Sequence, residues 1–155
     1  MKRLLFLCLL AATAPAAAAP VKPHYVSLRA DRANLREGPS FRHRILWVYK
    51  HKGYPFEVLG AYDVWRRVRT VDGTTGWMSA SMLSDQRTVL VTGQGRVPLY
   101  GDPKARAKIV AYAMPGAVAR LDACNPRSCK VSATGLKGWI AKDRIWGAGK
   151  NEVFN

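Results

Sequence analysis

Acyl, glycosyl or phosphoryl transfer needs a nucleophile beside a base, a pair of carboxylates, or a clustered set of metal ligands. The chain carries three histidines, three cysteines and ten acidic residues, and their spacing builds none of these. His24 stands alone, His43 lies between Arg42 and Arg44, and His51 between Lys50 and Lys52. No serine or cysteine stands near in sequence to use them as a base, so they read as solvated loop histidines. The carboxylates are scattered, and Asp72-Gly73 and Asp102-Pro103 read as turn chemistry. Cys124 and Cys129 would need two more ligands to hold zinc, and the histidines all lie in the other half of the chain. The reading is a protein without catalytic residues, cofactor or metal.

The cysteines point instead to export. Lys2 and Arg3 precede an apolar run from Leu4 to Leu10, and Ala11 to Ala19 supplies small residues in an Ala-x-Ala pattern. This reads as a secretory signal over 1–19, cleaved after Ala19, and places the mature chain in the periplasm or outside the cell. The run is too short for a transmembrane anchor. Cleavage removes Cys8 and leaves Cys124 and Cys129, an even pair in an oxidising compartment. They flank Asn125-Pro126-Arg127-Ser128, a turn sequence between two strand-like runs, so a disulfide across a hairpin is expected.

Binding is the more promising chemistry. In Trp65-Arg66-Arg67-Val68-Arg69 side chains alternate between faces, so a core Val68 puts Trp65 outside with Arg67 and Arg69. An exposed aromatic beside guanidinium groups stacks on sugar rings or peptide planes while the cations hold carboxylates. Tyr49, Tyr62, Trp77 and Arg36 complete the candidate ligand-binding set, with Trp47 and Tyr54 as possible additions to the surface. The plain alternative is that these aromatics fill two small cores; it is preferred for Trp47 and Trp77, while Trp65 leans to the surface.

The elements that would position these residues repeat along the chain. Pro39 matches Pro103 and Ile45 matches Ile109 at one offset. Gly53 with Gly116 and Val68 with Val131 follow at one residue less, and Trp77 with Trp139 at one less again. Strand signals are short, Asp72-Gly73 marks a hairpin, and Ala80 to Ser84 allows one helical turn at most. With 13 Gly and 9 Pro, the chain is expected to be all-β, two small barrels in tandem over 25–85 and 88–146, with a frayed tail over 147–155. The link around Asp85-Gln86-Arg87 is too short to tether freely, so the copies are expected to pack together. Ser128 replaces Trp65 in the second copy, and Cys129 stands next to it. The first repeat is therefore expected to bind and the second to brace it.

The order Asn34-Leu35-Arg36-x-Gly38-Pro39, Trp65-x-x-Val68 and Gly76-Trp77, with Leu83 after it, resembles the bacterial SH3-like domain. The second copy matches less closely: Pro98-Leu99-Tyr100 stands in for Asn-Leu-Arg, and Gly138-Trp139 is retained. The resemblance implies a five- to six-stranded β-barrel in each copy. It also implies an extracytoplasmic, usually non-catalytic module, often attached to cell-wall enzymes or binding peptidoglycan.

Charge agrees. Lysine and arginine number 25 against 10 acids, a formal +15, and the second copy is the more basic. An exported cation meets carboxylates and phosphates of the envelope; nucleic acid is at most an incidental partner. The expected function is a non-catalytic envelope module contacting peptidoglycan or another anionic component. The alternative is a periplasmic adaptor that takes a peptide segment of an envelope protein.

Overall fold

The computed structural model describes residues 18–104 and 108–155. Apart from Ala18 and Ala19, the expected signal sequence lies outside the described residues. The first half forms β1 (Ala19–Leu28), β2 (Ala33–Arg36), β3 (Ile45–Tyr49), β4 (Pro55–Tyr62), β5 (Trp65–Arg69), β6 (Thr75–Ser79) and β7 (Leu83–Ser84). They hydrogen-bond in the order β3-β2-β6-β5-β4-β1-β7. The second half forms β8 (Thr88–Val91), β9 (Val97–Tyr100), β10 (Ile109–Ala113), β11 (Val118–Cys124), β12 (Ser128–Ala133), β13 (Leu136–Ala141) and β14 (Ile145–Trp146). Its order, β10-β9-β13-β12-β11-β8-β14, is the same permutation seven strands on. The repeat in sequence is thus a repeat in topology.

Two corrections follow. Each module has seven strands rather than five or six, because the short β7 and β14 after a single 3-10 turn add to the sheet. Nor is either sheet a closed barrel: β3 and β7 are both edges, as are β10 and β14. The first sheet nevertheless curls round one core, since Leu35 from β2 and Leu83 from β7 belong to the same buried cluster.

Alternation in the strands explains that core. Phe56 and Val58 on β4 point inward with Val68 on β5 and Met78 on β6, all essentially fully buried, while Glu57 points out. Each such side chain contributes roughly 1.5–3 kcal/mol by leaving water. The β5–β6 hairpin turns as expected at Asp72-Gly73. Gly73 has φ +86, and the Asp72 carboxylate accepts from the Thr70 hydroxyl and, at 3.0 Å, from the Thr74 N–H. In the second module Val89, Val97, Leu121, Val131 and Ile140 fill the equivalent core. Cys124 and Cys129 face each other across the β11–β12 hairpin and are disulfide-bonded, as expected.

The modules touch. The Thr88 hydroxyl donates to the Gly53 carbonyl at 2.6 Å, and the rings of Tyr25 and Trp146 meet edge to face at 5.4 Å. The expectation of a frayed tail is overturned. Phe154 exchanges backbone hydrogen bonds with Cys124, and Glu152 binds the Arg87 guanidinium through both carboxylate oxygens, at 2.6 and 3.0 Å. Arg87 sits in the link between modules, so the tail is fastened to the junction.

Candidate functional site

Register decides what the outer face of the first sheet displays. Trp65 pairs with Ser79, Arg67 with Trp77, Trp77 with Arg36, and Tyr62 with Trp65. Directly paired residues share a face, so Trp65, Arg67, Tyr62, Trp77 and Arg36 all lie opposite the core. That much of the expected constellation assembles.

Exposure departs from the expectation. Trp65 is only 5% exposed, because Phe41 from the β2–β3 loop lies edge-on across it with ring centroids 5.0 Å apart. Trp77 is buried too, but on the outer face rather than in the core preferred for it, with Tyr62 against its edge at 6.5 Å. Trp47, expected in the core, is 62% exposed, because β3 is an edge strand that runs past it. Tyr49 belongs with the core rather than the ligand face. It pairs with Ala33 and packs on Tyr54 and Phe56, and burial pushes its phenol up to about 12, against a Thr70 hydrogen bond that lowers it. Arg69 is engaged: its Nε and one terminal nitrogen hold Glu57 at 3.0 and 2.6 Å.

Arg36 has a different role from the one expected. Its guanidinium donates to the Phe41 carbonyl at 3.0 Å and the His43 carbonyl at 2.8 Å, and lies 5.7 Å from the Phe41 ring centre. It is a positioning residue that folds the 37–44 loop back over the sheet. Gly38 lets that loop close, since a Cβ there would run into the His43 ring.

The loop and the sheet enclose a groove of about 250 Å3 whose lining includes Trp65, Phe41, Asn34, Ser79, Ser81 and Met82. Its aromatic wall is Trp65 beneath Phe41. Its polar side is Asn34, with the Ser79 and Ser81 hydroxyls 2.9 Å apart. The Asn34 side-chain oxygen is buried with no hydrogen-bond partner among the described residues, a costly arrangement unless something donates to it. The groove is therefore suited to a group with an N–H or O–H donor next to an apolar or ring face. Sequence reasoning missed Phe41 and the two serines. Asn34 stood in the quoted motif without a role, and a lone aromatic after Gly-Pro-Ser was the available signal for Phe41.

His43 lies in the loop that closes the groove but not in its lining, and His24 and His51 stay apart from it. His24 and His51 pair through ring nitrogens with the Lys22 and Lys52 carbonyls, each at 3.0 Å. Among the described residues no three His, Cys, Asp or Glu side chains gather to hold a metal.

The sequence model of the family described as "Bacterial SH3 domain" matches residues 29–85 and 93–147. No curated protein matches the chain. Among solved structures, it is similar to NlpC2 from Trichomonas vaginalis at 15% identity and a TM-score of 0.37, over 81% of this chain and 48% of that one. NlpC1 from the same organism gives 16% identity and 0.37, over 88% and 50%. An NlpC/P60 family protein from Bacillus cereus gives 16% and 0.36, over 79% and 55%. The chain thus spans about half the length of these structures.

Proposed function

The chain belongs to the bacterial SH3 domain family, and from that premise we propose that it is an exported, non-catalytic binding module of the cell envelope. Its first-module groove takes a peptide-bearing wall polymer such as peptidoglycan. The observation that carries this reading is the unpartnered Asn34 oxygen beside the Trp65–Phe41 wall. A stem peptide brings amide N–H donors for Asn34, and a sugar or apolar side chain for the aromatic wall. The disulfide, stable where thiols are oxidised, supports export.

The test is co-sedimentation of the disulfide-intact protein with purified sacculi at low and high salt, beside Phe41→Ala. Phe41 is 72% exposed, so its removal spares the fold, whereas Trp65→Ala would open a buried site. Salt-resistant pelleting that falls at least about tenfold in Phe41→Ala is expected, the size of a well-packed contact. Absence of pelleting at either salt would sink the wall reading.

A second reading, an adaptor for a peptide of another envelope protein, is favoured by one feature. The free edge β3 exposes Ile45, Leu46 and Trp47, and an unpaired edge accepts an added strand. Binding that survives salt and ignores sacculi would favour it.

A further inference from the structure

The outer face of the second module carries a different surface. Arg120, Asp122, Lys130 and Lys137 surround a cleft of about 520 Å3, bounded also by Gln86 and Arg87 of the link, with Leu121 among its lining. Register brings them together: Arg120 pairs with Ser132, and Ser132 with Lys137, while Lys130 lies on the middle strand β12. Four cations thus meet one carboxylate.

Two of those cations are held. Arg120 Nε donates to Asp122 at 2.7 Å. The terminal nitrogens of Arg87 bind Glu152 and the Gly147 carbonyl. Arg87 is therefore fixed in place, and its Nε–H is left a buried donor without a partner among the described residues. Lys130 and Lys137 have no carboxylate within 4.0 Å among the described residues. Like charges on adjoining strands repel, so this face carries more cations than its one carboxylate, Asp122, balances. The first module is built otherwise: Glu57, at the position of Arg120, neutralises Arg69 within its own sheet.

We propose that this cleft binds a phosphate group. A planar carboxylate is best met by one forked guanidinium, and both guanidiniums here already hold carboxylates. What remains is two ammonium point charges on adjoining strands, beside the fixed Arg87 side chain. A tetrahedral phosphate, with oxygens directed several ways, matches that set. A lipid headgroup and a phosphodiester polymer of the envelope share this chemistry. The second module then contributes a contact of its own besides bracing the first, and the inference is independent of the groove.

The test is titration of inorganic phosphate into the disulfide-intact protein at fixed ionic strength, followed by amide NMR, with acetate in parallel. Saturable shifts at Arg87, Lys130 and Lys137 are expected. They should weaken at least about tenfold in Lys130→Gln/Lys137→Gln, through loss of two charge-assisted contacts, and return in Lys130→Arg/Lys137→Arg. Non-saturating shifts, equal saturation by acetate, or full binding by the Gln pair would overturn the proposal. Vesicles of phosphatidylglycerol then separate the sources. Capture that the Gln pair abolishes supports the site with a lipid ligand; phosphate saturation without vesicle capture supports it with a soluble phosphodiester.

Discussion

Gly76 packs so tightly against Leu35 that a Cβ on it would stand 2.7 Å from Leu35 Cγ and 2.9 Å from the Arg36 carbonyl. The second module repeats the relationship, with Gly138 against Leu99 Cβ at 2.9 Å. The glycine of each Gly-Trp pair is there because β2 and β6, or β9 and β13, approach too closely for a side chain. Leu35 is fully buried and cannot move aside. Gly76→Ala is therefore expected to destabilise the protein by about 1–3 kcal/mol, as overpacked cores do. Urea unfolding measures this, and an unchanged midpoint would contradict the packing argument.

Phe41 covers Trp65, and this gives a spectroscopic prediction. Phe41→Ala should let water reach the indole and shift tryptophan emission to the red. The stability cost is about 1 kcal/mol, the worth of an edge-to-face aromatic pair at a surface. Arg36→Gln should give the same red shift with Phe41 present, because the loop loses the two hydrogen bonds that fold it back. An unshifted Arg36→Gln spectrum would mean that the loop holds itself.

Much of this architecture was legible because it rests on local rules. The repeat, the Asp72-Gly73 hairpin, the cross-hairpin cysteines and the outward placement of Trp65 opposite Val68 all follow from turn chemistry and period-two alternation. Exposure was not legible, since alternation gives a side chain's face but not what covers that face. Trp65 is hidden by a loop residue 24 positions earlier, and Trp47 is bare because its strand ended as an edge. Arg36 and Arg69 looked free for a ligand. Their partners, loop carbonyls and Glu57, are set by loop closure and cross-strand register rather than by neighbours in sequence.

Glu152 makes the fastening of the tail depend on pH. The Arg87 hydrogen bonds, aided by the Gly149 N–H, hold its carboxyl below the ordinary 4.5 against the opposing effect of burial. A carboxyl whose folded pKa is depressed stabilises the fold fully above its unfolded pKa and loses that contribution as pH falls through the folded one. The advantage of the native protein over Glu152→Gln should be constant near neutrality and vanish in acid, below pH 4.5. Thermal midpoints of the two proteins across that range test it. Parallel curves down to the lowest pH would show that Arg87 gains nothing from the carboxylate.

The disulfide should brace the second module only moderately. Cys124 and Cys129 are five residues apart, and closing so short a loop removes little freedom from the unfolded chain, worth about 2 kcal/mol in the chain-entropy model. Both sulfurs lie in the buried core, so Cys124→Ala/Cys129→Ala also forfeits packing, while serines would bury unpaired hydroxyls. The alanine pair should therefore lose about 2–4 kcal/mol. The loss should centre on β11, β12 and the Phe154 bridge, where amide exchange quickens, while β4 to β6 of the first module keep their protection. Uniformly faster exchange in both modules would show that Thr88, Tyr25 and Trp146 bind the two sheets into one cooperative unit.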